Sequence, residues 1–174
     1  MENIKLFCVS LGCDKNLVDT EKMLGLLNGR GITFTDDETE ADVILVNTCC
    51  FIGDAKEESV NTILDMARYK EEGNLKALLV AGCLAQRYKQ EILDEIPEVD
   101  AILGTTSYEE VAKVLDEVLA GRTGTHLSCF HDLSELPQTE VRPSDVWLPP
   151  AAIMPFLKSR RVVTSAAPIV SSLI

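Results

Sequence analysis

Three apolar segments of this chain each lead to a cysteine, and a helical pattern follows each cysteine. The pairs are residues 4–9 with Cys13, residues 42–48 with Cys49, and residues 77–82 with Cys83. A short apolar run followed by apolar residues at helical spacing indicates a buried strand that leads into a helix. The sequence therefore predicts three strand-to-helix turns that each carry a thiol.

The same alternation continues along the chain and predicts an α/β fold. Five strands are expected, at residues 3–10, 32–34, 42–47, 76–82 and 101–103. Predicted helices include one that starts at residue 16, one capped by Asp54, one through Tyr88 and Ile96, and one opened by a capping box at residues 107–110. Strands that alternate with helices form right-handed units in a parallel sheet with both faces covered. The prediction is a five-stranded parallel sheet in a three-layer sandwich of flavodoxin-like or Rossmann-like type.

A flavodoxin-like strand order, 2-1-3-4-5, places strands 1, 3 and 4 side by side. Ligands of open α/β sheets bind beyond the carboxyl ends of the strands, near the point where the strand order reverses. Cys13, Cys49 and Cys83 follow those three strand ends, although 36 and 34 residues separate them along the chain. We therefore expect three thiols on one edge of the sheet. Residues 14–16 beside Cys13 would cap the following helix or line the site.

Three thiolates on one edge suit a soft metal. Sulfur ligands favour zinc, Cu(I) or iron–sulfur clusters, whereas a structural zinc site normally has four protein ligands. Three ligands leave one position open, as in a 4Fe–4S cluster with an exchangeable site or in a catalytic zinc site. A single cysteine at such a turn is more simply explained as a buried, inert side chain. Its repetition at three equivalent turns favours a metal site.

The remaining cysteines and the histidines are weaker candidates. Cys8 lies inside the first predicted strand and is expected to be a small core residue. Cys50 follows Cys49 directly and would point away from it in an extended backbone, although the two could exchange roles. A loose group of donors lacks the paired spacing of a zinc finger, so a solvated connector is expected there. That group consists of His126, Cys129 and His131.

Charge and composition limit the class of protein. The chain of 174 residues has a formal net charge of −12, so broad binding to a nucleic-acid backbone is disfavoured. No apolar run approaches the roughly 20 residues that span a bilayer, and the N-terminus enters a strand without a basic-then-apolar leader. We expect a cytoplasmic protein without a membrane partner, whose six cysteines are reduced thiols or metal ligands.

Three motifs around the cysteines resemble a known family. They are Ser-Leu-Gly-Cys-Asp-Lys-Asn-Leu-Val-Asp-Thr-Glu at residues 10–21, Asn-Thr-Cys at residues 47–49 with Phe51 and Ile52, and Gly-Cys-Leu-Ala-Gln-Arg-Tyr at residues 82–88. Together they are similar to the N-terminal domain of the radical-SAM methylthiotransferases, over residues 1 to 135. Residues 14–16 and 51–58 resemble the subgroup that modifies an aspartate of a small-subunit ribosomal protein more than the subgroup that acts on adenosine in tRNA.

The resemblance implies a cofactor, a reaction and a partner. Cys13, Cys49 and Cys83 would bind an auxiliary 4Fe–4S cluster whose open iron handles the donated sulfur. Members of the family also carry a barrel domain, in which a Cys-x3-Cys-x2-Cys motif binds a second 4Fe–4S cluster and cleaves S-adenosylmethionine. The implied enzyme is a transferase that adds a methylthio group. Its implied partner is a small-subunit ribosomal protein, and this domain is not expected to contact nucleic acid directly.

The sequence departs from this family towards its C-terminus. It contains no Cys-x3-Cys-x2-Cys motif, and five of its seven prolines lie between Pro143 and Pro168. We expect one domain over residues 1–135 and an irregular proline-rich tail over residues 136–174, because proline interrupts helices and sheet ladders. The chain alone would then hold a cluster and be inactive in the radical reaction. A fragment of a tRNA methylthiotransferase and a non-enzymatic α/β binding module stay open as alternatives.

Overall fold

One parallel sheet forms the centre of the computed structural model, which describes residues 4–28, 30–50, 53–121 and 127–131. Its strands in those ranges are β1 (Ile4–Ser10), β2 (Ile32–Phe34), β3 (Val43–Thr48), β4 (Ala77–Gly82), β5 (Ala101–Leu103) and β6 (Leu127–Cys129). Their order across the sheet is β2-β1-β3-β4-β5-β6, and every pairing is parallel. The order reverses between β1 and β3, which is where open α/β sheets bind ligands.

Helices cover both faces of this sheet. In the described ranges they are α1 (Asp14–Asn28), α2 (Gly53–Ala67), α3 (Tyr69–Glu72), α4 (Cys83–Arg87), α5 (Lys89–Glu95) and α6 (Val111–Leu119). On one face α1 and α6 bury Leu24 and Leu115. On the other, α2 and α5 bury Ile63 and Ile92. The apolar stripes of the helices thus enclose the sheet from two sides.

The central strands β3 and β4 determine where the candidate site lies. Every residue of both strands is buried, and Leu45 and Leu79 are fully enclosed. Burying one leucine side chain stabilises the fold by about 1.5–3 kcal/mol relative to leaving it exposed. Two almost continuous apolar strands therefore hold the middle of the sheet in register, and their carboxyl ends are held with it.

The prediction of five strands is corrected by β6. The α/β class and the order of the first five strands are confirmed. However, the segment expected to be a solvated connector contains a sixth strand, in which Cys129 pairs with Leu103. The Gly104 N–H also donates to the Cys129 carbonyl oxygen at 2.9 Å. A three-residue strand is too short to show a periodicity, and it forms because the edge of β5 offers backbone groups for pairing.

Two helix predictions differ from the structure in their boundaries. The first helix begins at Asp14, directly after Cys13, rather than at residue 16. The single helix expected through Tyr88 and Ile96 is divided into α4 and α5. The division occurs at Tyr88, whose φ of −120° and ψ of 41° leave the helical region.

Two predicted helix caps are wrong. Because α2 begins at Gly53, Asp54 lies inside its first turn. Ser107 makes no capping hydrogen bond with its side chain. Its Oγ instead accepts a hydrogen bond from the His131 backbone N–H at 2.9 Å, which attaches the segment after β6 to the sheet edge.

No helix in the described ranges is both long and apolar enough to cross a bilayer. The expected tail over residues 136–174 lies outside the described residues, as do Phe51 and Ile52. The proposed division of the chain at residue 135 therefore stays a prediction.

Candidate functional site

The carboxyl ends of β1, β3 and β4 lie side by side, and a cysteine follows each of them. Ser10 of β1 pairs with Asn47 of β3, which in turn pairs with Ala81 of β4. The cysteines follow these three paired residues by two or three positions along the chain. The turns that carry them therefore share one edge of the sheet. We name this edge the cysteine rim; its cysteines are Cys13, Cys49, Cys50 and Cys83.

Gly12 lets the turn before Cys13 pack against Cys49. Its φ is +90°, a left-handed conformation that residues with a Cβ rarely adopt. A Cβ at this position would lie 2.3 Å from the Cβ of Cys49 and 2.6 Å from its Sγ. The absence of a side chain therefore brings Cys49 directly against the loop that carries Cys13.

Gly82 has an equivalent role before Cys83. Its φ is +95°, and a Cβ there would lie 2.4 Å from both Asn47 Oδ1 and the Thr48 carbonyl oxygen. The turn before Cys83 consequently packs on the end of β3. Both glycines thus bring a neighbouring turn onto the segment that carries Cys49.

Two buried asparagines connect α1 to the end of β3. Asn16 donates from Nδ2 to the Leu11 carbonyl oxygen at 2.9 Å and to the Thr48 carbonyl oxygen at 2.8 Å. Asn47 donates from Nδ2 to the Asn16 carbonyl oxygen at 2.8 Å and to Thr20 Oγ1 at 2.9 Å. Both asparagines are 1% exposed. Leaving a buried carbonyl without its donor is costly, so these bonds hold α1 and β3 in one relative position.

Ser59 of α2 holds the backbone of Cys49. Its Oγ accepts a hydrogen bond from the Cys49 N–H at 3.0 Å and donates one to the Cys49 carbonyl oxygen at 2.8 Å. One residue earlier, Thr48 Oγ1 donates to the Ala81 carbonyl oxygen at 2.5 Å. The main chain that positions Cys49 is therefore attached to α2 on one side and to β4 on the other.

The four thiols of the rim differ in exposure but interact with one another. Cys13 is exposed, Cys50 and Cys83 are half-buried, and Cys49 is buried. Burial raises the pKa of Cys83, and charge interactions with Cys50, Cys49 and Cys13 raise it further, while Lys15 opposes the rise. The contacts of Gly12 with Cys49 and of Gly82 with the end of β3 bring the turns of Cys13, Cys49 and Cys83 together at this edge. No group of three His, Cys, Asp or Glu side chains in the described ranges is placed to hold a single metal ion.

Lys15 brings positive charge to the α1 side of the rim. It donates a hydrogen bond to Asp19 one turn along the helix. Burial lowers the pKa of Lys15, but the hydrogen bond and charge of Asp19, together with the charges of Cys83 and Cys13, raise the pKa above its ordinary value. Cys13 itself precedes α1, and its carbonyl oxygen accepts the first helical hydrogen bond from the Leu17 N–H. The positive end of the helix dipole therefore lies beside this thiol.

Lys56 and Arg87 bring positive charge to the α2 side. Lys56 is only 8% exposed, and its Nζ lies 4.1 Å from the centroid of the Tyr88 ring. The Arg87 guanidinium carbon lies 5.6 Å from the same centroid. Neither cation forms an ion pair with an acidic side chain of the described ranges. Burial raises the pKa of Cys50 and the charge of Cys49 adds to the rise, while the charges of Arg87 and Lys56 oppose it.

The donors predicted outside the rim lie apart from it. Cys8 is enclosed in β1, where burial raises its pKa to about 12. Cys129 ends β6, and its pKa is raised by burial and then by the charge of Glu110. β5 separates the strand of Cys129 from β4, whose end carries Cys83. His126 lies outside the described residues.

Sequence reasoning missed Lys56 and Ser59 and placed Cys50 by an argument that does not apply. Lys56, Val60 and Ile63 recur at the spacing of one helix face, and this spacing could have indicated that the lysine is buried. Side-chain alternation does not extend to Cys50, because β3 ends at Thr48. The bonds made by Ser59 leave no sequence pattern, since its partner is a backbone ten residues away.

The fold and the rim define an α/β domain with thiols at the edge where open α/β sheets bind ligands. Residues 5–104 match the family described as "Uncharacterized protein family UPF0004". The chain belongs to this family. The resemblance to the N-terminal domain of the methylthiotransferases that act on a ribosomal protein is confirmed.

Three relatives, each named ribosomal protein uS12 methylthiotransferase RimO, illustrate the similarity. The protein of Lachnoclostridium phytofermentans is 61% identical over 138 residues, which cover 79% of this chain and 31% of the relative. That of Acetivibrio thermocellus is 60% identical over 113 residues, covering 65% and 25%. That of Clostridioides difficile is 56% identical over 115 residues, covering 66% and 26%. The matched part of the chain thus spans 31% or less of the length of these curated relatives.

Proposed function

We propose that this chain is the iron–sulfur domain of a methylthiotransferase, in which Cys13, Cys49 and Cys83 bind a 4Fe–4S cluster. The observation that carries the proposal is that the three cysteines follow paired strand ends on one edge of the sheet, where the turns at Gly12 and Gly82 pack against the segment that carries Cys49. Thiolates are the usual ligands of iron–sulfur clusters. Three protein ligands leave one of the four irons open.

The chemistry of the rim suits an anionic cluster. Each thiolate of a 4Fe–4S cluster binds a different iron, so its ligands surround a volume rather than meet at one point. Lys15, Lys56 and Arg87 supply positive charge at this edge of a chain whose net charge is −12. When bound, the cluster would offer an iron with an open coordination position for the sulfur that is donated.

The chain's own residues would keep the ligands in place. Ser59 holds the backbone of Cys49, and Asn16 and Asn47 hold α1 against β3. Hydrogen bonds that orient metal ligands commonly change metal affinity by about 10–100-fold when they are removed. The surroundings of the cysteines are therefore part of the proposed site.

We further propose that the whole reaction adds a methylthio group to a ribosomal protein of the small subunit. The three relatives are named for uS12, and a net charge of −12 favours a protein substrate over a nucleic acid. Family resemblance implies that a second 4Fe–4S cluster cleaves S-adenosylmethionine at a Cys-x3-Cys-x2-Cys motif. Because the 174 residues lack that motif, we expect them to hold the first cluster and to be inactive alone.

Single replacements of the cysteines by alanine test the site. After anaerobic reconstitution, Cys13→Ala, Cys49→Ala and Cys83→Ala should each lose most of the bound iron and sulfide and the absorbance near about 400 nm. Cys129→Ala is the matched control, because it removes a half-buried thiol from another strand end and should retain the wild-type iron content. Equal iron content in all four variants would refute the assignment.

A further inference from the structure

We infer that Lys56 and Arg87 form a binding site for one side-chain carboxylate of an acidic peptide segment, beside the cysteine rim. The two cations lie over the same aromatic ring, that of Tyr88. The inference rests on the proposed function, because the carboxylate would belong to the protein substrate of the methylthiotransferase.

Helix geometry places this pair of cations near the cysteine turns. Lys56 precedes Ser59 by three residues, so the two share a face of α2, and Ser59 binds the backbone of Cys49. Arg87 is the last residue of α4, which begins at Cys83. With a rise of about 1.5 Å per residue, the helix advances only about 6 Å from Cys83 to Arg87. A carboxylate held by both cations would therefore lie close to the rim.

The Tyr88 ring brings the two positive charges together. Lys56 Nζ lies 4.1 Å from the centroid of the ring, and the Arg87 guanidinium carbon lies 5.6 Å from the same centroid. Like charges that approach one ring repel each other. An anion bound between them would offset this repulsion, because it attracts both cations.

The carboxylates that are close in sequence do not pair with these cations. Asp54 and Glu57 accompany Lys56 on α2, but residues one or two positions apart point to different faces of a helix. Glu91 follows Arg87 by four residues, but α4 ends between them. Within the described part of the chain, neither cation forms an ion pair with an acidic side chain. Both positive charges are thus available to an external anion.

The Lys56 ammonium is enclosed but keeps contact with solvent. The residue is 8% exposed, and its Nζ donates no hydrogen bond to a group of the described ranges. Every fully enclosed side-chain nitrogen in those ranges has a hydrogen-bond partner, so Nζ must meet water. A carboxylate that replaces this water finds a partly desolvated charge, with which hydrogen bonds are stronger than in open water.

The charges favour a single carboxylate over a nucleic acid. A guanidinium presents N–H groups that match the two oxygens of a carboxylate, and an ammonium adds a further donor. Phosphate also fits such donors, but a nucleic acid carries one at every nucleotide, and the chain has a net charge of −12. Long-range repulsion opposes that polyanion, whereas two local cations suffice for one acidic side chain.

Titration of the anaerobic, metal-free 174-residue chain with two blocked tripeptides tests the site. One tripeptide has a central aspartate, and the other has a central asparagine, which has a similar shape and no charge. Nuclear magnetic resonance should show that the aspartate peptide shifts the backbone signals of residues 53–56 and 86–88. The asparagine peptide should bind at least about tenfold more weakly. Lys56→Met and Arg87→Gln should each weaken binding of the aspartate peptide by a similar factor.

Lys22→Met is the matched control and should bind the aspartate peptide as the wild type does. Lys22 Nζ also lies over a tyrosine ring, 5.0 Å from the centroid of Tyr108, but this ring packs on the opposite face of the sheet. Lys56→Arg keeps the positive charge and should bind the peptide more tightly than Lys56→Met. Arg87→Gln changes an exposed side chain, so it tests the site even where Lys56→Met does not fold.

Several results would overturn the inference. They are an absence of peptide binding to the wild type, equal binding of the two peptides, and equal affinity of the aspartate peptide for the wild type, Lys56→Met and Arg87→Gln. A four-nucleotide RNA that binds more tightly than the aspartate peptide, and loses affinity in the same two variants, would assign the site to a nucleic acid instead.

Iron content after anaerobic reconstitution separates this inference from the proposed function. Lys56→Met and Arg87→Gln keep the three proposed ligands and should retain the iron content of the wild type. Loss of iron with unchanged peptide affinity would assign the two cations to the cluster and overturn the carboxylate site. A wild-type chain that binds no iron would refute the proposed cluster, while the titration of the metal-free chain still decides whether the carboxylate site exists.

Discussion

Replacing Gly12 by alanine should separate the two turns that carry Cys13 and Cys49. The new Cβ would lie 2.3 Å from the Cβ of Cys49, far inside van der Waals contact. Rotation about χ1 of Cys49 cannot relieve this overlap, because the backbone alone determines where a Cβ lies. Ser59 holds that backbone at both of its polar groups. One of the two main-chain turns must therefore move.

The magnitude follows from two separable effects. Forcing a residue with a Cβ into a left-handed conformation costs about 1–2 kcal/mol, and Gly12 has a φ of +90°. Overpacking a tight contact costs about 1–3 kcal/mol more. We expect Gly12→Ala to lower the free energy of unfolding by about 2–5 kcal/mol. Gly31→Ala is the matched control, since Gly31 has a φ of +77° with nothing within 4 Å, so only the first effect applies.

Anaerobic guanidinium unfolding of the metal-free chain measures both variants, and iron content after reconstitution shows whether the rim is intact. Iron content should fall in Gly12→Ala and stay unchanged in Gly31→Ala. Cys49→Gly in the Gly12→Ala background removes the overlapping Cβ, so a double-mutant cycle should give a coupling of about 1–3 kcal/mol. A coupling of zero, with equal losses in the two alanine variants, would refute the reasoning about this contact.

Two further predictions concern buried groups, one at the rim and one inside β1. Asn47→Ala removes two buried hydrogen bonds and leaves a small cavity, so it should lower the free energy of unfolding by about 2–4 kcal/mol and reduce iron content. The control Asn74→Ala changes an exposed side chain and should change the free energy of unfolding by less than about 0.5 kcal/mol. Similar losses in the two variants would contradict the view that the hydrogen bonds of Asn47 stabilise the fold. Cys8, whose pKa burial raises from 9.0 to about 12, should resist iodoacetamide in the folded chain at mildly alkaline pH and react once unfolded. The thiol of the unfolded chain ionises at a lower pH than the buried thiol of the folded chain. The stabilisation that comes from keeping Cys8 neutral is therefore complete below pH 9.0 and is lost as the pH rises towards about 12. Rapid alkylation of native Cys8 would contradict its burial.

The central part of the fold and the shared edge of three cysteines could be predicted from the sequence. Continuous apolar runs such as residues 43–46 and 77–80 occur where a strand is buried on both faces. Their regular alternation with helices allows few topologies, since crossover connections are right-handed and short. A strand order of 2-1-3-4-5 places the carboxyl ends of β1, β3 and β4 side by side. The turns that follow these strands are then neighbours as well.

What could not be predicted depends on contacts between residues far apart in the chain. The sixth strand has only three residues and forms through pairing with β5. The hydrogen bond from Asn16 to the Thr48 carbonyl oxygen joins positions 32 residues apart. Ser107 illustrates the same difficulty, because its sequence context indicates a helix cap while its hydroxyl binds the backbone of His131. Local preferences are weak compared with such tertiary contacts.

The separation of the three proposed ligands along the chain has a consequence for how a cluster would bind. Small zinc domains place their ligands close together in sequence and are unfolded until the metal arrives. Here Cys13, Cys49 and Cys83 become neighbours only when β1, β3 and β4 are paired, and those strands are joined by backbone ladders and buried leucines rather than by metal. The apolar core therefore arranges the thiols first, and a ligand that binds only this arrangement stabilises the folded state by mass action. It follows that residues which only position the rim, such as Gly12 and Asn47, would control the affinity for the proposed cluster through the same contacts by which they stabilise the sheet edge.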